Sequence, residues 1–97
     1  MSAEPTLPLT PSILVVDDDE VLRSTLGFEF EMEGWRVLEA SNGAEALEMI
    51  ERDKSVHVVL TDVLMPRMGG VELLKRIRQN GAPQPAVIFV TGYTALT

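Results

Sequence analysis

The sequence predicts an α/β domain, a parallel sheet doubly wound by helices. Three observations predict it. Short apolar runs rich in valine and isoleucine recur along the chain. Between them lie stretches whose apolar residues return every three or four positions. Glycine, asparagine or proline stands at most of the joins. Apolar strands separated by amphipathic helices bury themselves best as a parallel sheet with helices on both faces and right-handed crossovers.

The elements follow in order. Pro5, Pro8 and Pro11 punctuate the first twelve residues, so residues 1–12 read as a flexible leader outside the core. Ile13–Val16 is apolar and β-branched throughout, the pattern of a strand covered on both faces. Asp18 to about Glu33 forms the first helix, with Leu22, Leu26 and Phe30 as its inward stripe, Thr25 beside them, and Gly34 as its stop. Arg36–Ala40 is a less apolar strand, expected nearer an edge. Asn42 with Glu45 three residues on starts a second helix, Ala44–Arg52, whose stripe is Ala46, Leu47 and Ile50. Val56–Thr61 is the third strand, and the segment 62–70, with Pro66 and two glycines, is a loop. Val71–Gln79 is the third helix, with Val71, Leu74 and Ile77 turned inward. Ala86–Thr91 is the fourth strand, and Gly92 opens another loop.

Ninety-seven residues make one domain. Apolar residues are 45% and charged residues 24%, a globular balance. Eight basic against fifteen acidic side chains leave a net charge of −7, which argues against nucleic acid or an anionic membrane as the direct partner. The absence of cysteine excludes disulfides, zinc–thiolate sites and thiol catalysis. The longest apolar run, Ala86–Val90, is far short of a membrane span, and the N-terminus has no signal-peptide pattern. The expected compartment is the cytoplasm.

In a parallel sheet of this kind the working site lies beyond the carboxyl ends of the strands. Three of the predicted strands end in chemistry: Asp17-Asp18-Asp19, Asp62, and Thr91-Gly92. An aspartate after a strand is commonly a turn residue or a helix cap, and threonine is common in strands. The conjunction calls for more. Carboxylates gathered on one rim repel one another, and a hard divalent cation such as Mg²⁺ resolves that repulsion. A carboxylate beside such a cation can also act as a nucleophile and form an acyl phosphate, with the Thr91 hydroxyl donating to a phosphoryl oxygen. The remaining candidates are weak. His57 reads as a structural or surface residue, Met65 and Met68 as plugs of the loop against the body, and Trp35 as a packing anchor. No GxxxxGK[ST] or GxGxxG is present, so no preformed nucleotide cradle is expected.

Four stretches together resemble the receiver domain of two-component response regulators: ILVVDDDE (13–20), EASNGAEAL (39–47), VVLTDVLMPRMGG (58–70) and AVIFVTGY (86–93). The resemblance runs from Ser12 to the end. It implies a flavodoxin-like fold with strand order 2-1-3-4-5. It implies Asp62 as the phosphoacceptor, receiving phosphoryl from a histidine kinase or a small acyl phosphate. Mg²⁺ would be bound by Asp18, Asp62 and the backbone carbonyl of Leu64, and by Asp17 through water. Thr91 would be the switch hydroxyl, and the amides of Val63 and Gly92 would contact phosphoryl oxygens. The positions two after the phosphoacceptor and two after the switch hydroxyl, Leu64 and Tyr93, offer no group to orient a water, which implies slow loss of the acyl phosphate. No enzymatic activity is expected beyond that self-phosphorylation and slow dephosphorylation.

Against the family pattern, residues 13–97 read as a receiver lacking the fourth helix, fifth strand and fifth helix, and with them a lysine and an aromatic switch residue that no residue here replaces. The fourth strand would then be an uncovered apolar edge, expected to pair or swap with a second copy. Two other functions fit in part. A receiver-shaped module that docks partners without being phosphorylated is one. The other is a haloacid-dehalogenase-like phosphatase, for which Asp17-x-Asp19-x-Val21 supplies a nucleophile in Asp17 and an acid/base in Asp19. That reading leaves Asp62 and the Met-Pro loop without a role.

Overall fold

A computed structural model describes residues 10–81 and 84–90. Four strands, β1 (Ser12–Val16), β2 (Arg36–Ala40), β3 (Val58–Asp62) and β4 (Ala86–Val90), alternate with three helices, α1 (Glu20–Met32), α2 (Gly43–Arg52) and α3 (Gly70–Gln79). The strands form one sheet in the order β2-β1-β3-β4, and every pairing is parallel. The predicted fold class holds, and so does the edge position of the less apolar β2.

The core sits on both faces of β1 and β3. Leu14, Val16 and Val59 point one way and meet Ala46 and Ile50 of α2 and Leu73 and Ile77 of α3. Ile13, Val15 and Leu60 point the other way, against Leu26 and Phe30 of α1 and against Trp35. Alternation along a strand makes the two layers from one sequence run, which is why β1 is apolar at every interior position. Full burial of a side chain such as Leu14 or Leu73 contributes about 2 kcal/mol. Trp35 is the expected anchor: its ring meets Phe30 edge-on at 5.8 Å.

Several boundaries and faces differ from expectation. β1 begins at Ser12, so the leader gives way to the sheet one residue early. α1 begins at Glu20 because the Asp19 carboxylate caps it, accepting from the amides of Val21 and Leu22. Thr25 is exposed, and Gly27 is the residue of α1 that is buried. β3 begins at Val58 and includes Asp62, whose ladder partner is Val90; Val56 is in the core but ahead of the ladder. α3 turns Gly70, Leu73 and Ile77 inward, whereas Val71 is 47% exposed. β4 is an edge strand among the described residues, and its neighbours Ile88 and Phe89, which point to opposite faces of the sheet, are both exposed; pairing with a second copy would have to form along its main-chain edge. Thr91 lies outside the described residues.

At the amino ends of the strands, Arg36 gathers three neighbours. Its guanidinium donates to Ser12 Oγ, Ser55 Oγ and Asp53 Oδ2 at 2.8–3.0 Å. Ser55 donates its amide and hydroxyl to the other oxygen of Asp53. The Ser55 donors first, and Arg36 after them, hold the Asp53 carboxyl down to about 2 from its ordinary 3.8. Its ionised form therefore adds stability above the ordinary value, and that contribution is lost as pH falls toward 2. Asp53→Asn is expected to lower the unfolding free energy at neutral pH by about 1 kcal/mol at most, because the group stays a third exposed and screened. Urea melts at stepped pH check this: the gap between the two proteins closes in acid, between the ordinary carboxylate range and 2.

Candidate functional site

The carboxyl ends of β1 and β3 carry the acidic residues. Asp17 follows the last residue of β1 and extends its ladder by one bond, donating its amide to Ala40 O at 3.1 Å. This keeps its side chain in the sheet layer, where it is 4% exposed. The next residue, Asp18, turns out to solvent. Asp62 closes β3 and is half-buried. One oxygen each of Asp17, Asp18 and Asp62 lies within 4.8 Å of the others. A parallel sheet with β1 beside β3 dictates this meeting, since both strands end at the same level.

The electrostatics follow from burial. Two full charges at that separation repel by about 3 kcal/mol at an effective dielectric of 20. The Asp17 carboxyl is pushed above its ordinary value, first by burial and then by the charges of Asp62, Asp18 and Asp19; the Asp19 amide, donating to Asp17 Oδ1 at 2.8 Å, works against them. Three carboxylates of graded burial, one held partly against ionisation by burial and then by its neighbours' charges, make a donor set of hard oxygens. That chemistry fits a small divalent cation such as Mg²⁺ and no soft metal.

The loop after Asp62 is fastened at several points. Asp62 Oδ1 accepts from the Val63 amide at 2.7 Å, so one of the predicted phosphate-binding amides already faces the carboxylate. Val63 O accepts from the Gly70 amide and Met68 O from the Gly43 amide, both at 2.9 Å. The second bond ties the loop to the start of α2. A Cβ on Gly43 would sit 2.5 Å from Met68 O, so only glycine permits this approach. Met65 and Met68 pack on the core as expected. Arg67 takes a left-handed backbone, φ 71°. Leu64 is 82% exposed.

The structure thus brings together Asp17, Asp18, Asp62 and Val63, and sets Leu64 on the adjoining loop. Thr91, Gly92 and Tyr93 lie outside the described residues. His57 precedes β3, at the opposite end of the sheet, where its Nδ1 accepts from the Ser12 amide at 3.0 Å. Glu45 does serve the start of α2, but its carboxylate reaches Ser41, one residue before the Asn42 cap. Those two Ser41 donors hold the Glu45 carboxyl below its ordinary range. Asp19 caps α1 through one oxygen, Oδ1, which accepts from the amides of Val21 and Leu22. Sequence reasoning missed Arg23, which reaches the back of the cluster. The only available signal was that it is the one basic residue of its helix.

Comparison with known proteins bears on the family and the fold. The family model described as the response regulator receiver domain matches residues 13–97. The transcriptional regulatory protein CpxR of Escherichia coli is 43% identical over 79 residues, 81% of this chain and 32% of that protein. A cyclic di-GMP phosphodiesterase of Thermotoga maritima is 37% identical over 82 residues, 84% of this chain and 21% of that protein. The chain therefore spans a third or less of these curated relatives. Among solved structures, a receiver domain protein of Clostridium thermocellum superposes with a TM-score of 0.79 at 36% identity, covering 89% of this chain and 68% of that one. The response regulator protein TrrA of Thermotoga maritima, in complex with Mg²⁺ and beryllium fluoride, does so with a TM-score of 0.80 at 32% identity, covering 89% and 73%. Among the described residues, no helix is long and apolar enough to cross a membrane.

Proposed function

The chain belongs to the response regulator receiver domain family, and from that premise we propose that it accepts a phosphoryl group on Asp62 from a histidine kinase, a phosphotransfer protein or a small acyl phosphate. The observation that carries this reading is the convergence of Asp62 with Asp17 and Asp18 within 4.8 Å at the carboxyl ends of β1 and β3.

In this reading a carboxylate oxygen of Asp62 attacks phosphorus. The bond from phosphorus to the donor's nitrogen or oxygen breaks, and the donor leaves with its electron pair. Asp18, Asp62 and the Leu64 carbonyl would hold Mg²⁺ directly, and Asp17 through water. Once bound, the ion draws negative charge off the cluster and off the phosphoryl oxygens. Asp17 serves as the fixed inner wall, since burial and its bond from the Asp19 amide leave it little freedom. The amides of Val63 and Gly92 and the Thr91 hydroxyl are the donors assigned to the phosphoryl oxygens. The test is incubation with Mg²⁺ and acetyl phosphate, followed by peptide mass mapping. One phosphoryl group on the Asp62 peptide supports the proposal, and a phosphoryl group on Asp17 overturns it.

The same reading assigns a long lifetime to the product. Leu64 stands two residues after Asp62, 82% exposed and apolar, with nothing to hold a water in line with the phosphorus. Leu64→Asn supplies a carboxamide there and is expected to speed hydrolysis by about tenfold. Phosphoryl loss followed after removal of the donor checks this.

A further inference from the structure

Arg23 closes the first turn of α1 and is the helix's one basic residue. Its side chain is only 16% exposed. The guanidinium is divided between two strands: Nη1 donates to the main-chain carbonyl of Asp17 at 2.8 Å, and Nε to Glu39 Oε1 of β2 at 3.0 Å. Glu39 in turn lies against the helix at Gly27, one turn on, where a Cβ would come within 3.1 Å of Oε2. The Asp17 carbonyl lies past the last residue of β1 and belongs to the peptide that joins Asp17 to Asp18. Fixing that plane fixes the direction in which both carboxylates leave the backbone.

We propose that Arg23 is a positioning residue for the cation site, acting on the Asp17–Asp18 peptide and not on a carboxylate. The inference rests on the receiver reading above and deepens it. Two effects of the side chain oppose each other. A positive guanidinium behind the cluster repels a dication, so charge alone predicts that its loss tightens Mg²⁺ binding. The hydrogen bond holds a partly buried carbonyl and the ligand geometry with it, so positioning predicts that its loss weakens binding. The sign of the change therefore separates them.

The experiment is Mg²⁺ titration of the intact protein, followed by backbone amide shifts, for the parent and three variants. Arg23→Met keeps the buried stem and removes every donor. Arg23→Gln keeps a donor near the Nε position, facing Glu39, but is too short for the Asp17 carbonyl. Arg23→Lys keeps a donor that reaches the carbonyl. Arg23→Met and Arg23→Gln are expected to weaken Mg²⁺ binding by about tenfold, with Arg23→Lys within about twofold of the parent. In the metal-free protein the Asp17 carbonyl carbon resonance is expected to move in the first two variants and to hold in the third. Unchanged or tighter binding in Arg23→Met overturns the inference, as does Arg23→Lys behaving like Arg23→Met. Should Arg23→Met fail to fold, Arg23→Gln against Arg23→Lys decides the same question. A parent that binds no Mg²⁺ overturns the receiver reading itself, a result distinct from a parent that binds and an Arg23→Met that binds equally well.

Discussion

Asp62→Asn is expected to abolish phosphoryl uptake, by about a thousandfold or more, because a carboxamide is no nucleophile and nothing nearby can replace it. Asp17 is the closest substitute in chemistry, but it is 4% exposed and has one oxygen engaged by the Asp19 amide. Asp18 is exposed to solvent, and the Val63 amide donates to Asp62 and not to it. The variant should also be more heat-stable than the parent when no metal is present. The Asp62 charge is one of the causes that raise the Asp17 carboxyl, and removing it relieves the repulsion that folding imposes. The pH dependence has a definite sign. A carboxyl raised in the folded state costs stability once ionised, so the metal-free parent gains stability as pH falls through that raised value toward the ordinary one. Asp62→Asn should flatten this rise. Acetyl phosphate labelling and thermal melts at stepped pH, both with and without Mg²⁺, check the two halves.

Gly70→Ala is expected to destabilise the protein by about 2 kcal/mol and to weaken the cation site. A Cβ at this position falls well inside contact with the main-chain oxygen of Asp62 and 3.1 Å from the Phe89 ring. The ring can shift, but the carbonyl is held by the β3 ladder and by the Thr61 hydroxyl at 2.9 Å. Overpacking against such a neighbour costs about 3 kcal/mol, the upper end of the usual range. The better helix propensity of alanine returns about 1 kcal/mol. The first term wins, and the backbone that must yield belongs to Asp62 itself. Denaturant melts and Mg²⁺ titration should therefore move together. A stability loss that leaves the affinity at its parent value would show that the Asp62 side chain does not follow its backbone.

Most of the fold was legible because hydropathy records it directly. Val15 and Leu60 on one face and Val16 and Val59 on the other give continuous apolar runs that only a doubly covered parallel strand explains. The inward face of α3 was misjudged because Val71, Leu73 and Leu74 offer two overlapping stripes, and Gly70, which sets the true one, has no side chain to weigh. The start of α1 was misplaced because Asp18 and Asp19 look alike in sequence, while only Asp19 bonds the helix amides. The acidic cluster was legible from the topology rule alone, since parallel strands place their last residues on one rim. Arg23 was not, because its partner is a main-chain carbonyl, and no residue type announces that.

The three aspartates differ in depth: Asp17 is sealed in the sheet, Asp62 half covered, Asp18 open to water. Among the described residues, an ion held between them would have its doorway to water on the Asp18 side. A protein seated across that doorway would slow the ion's escape, so metal turnover in such a complex would follow the pace of undocking.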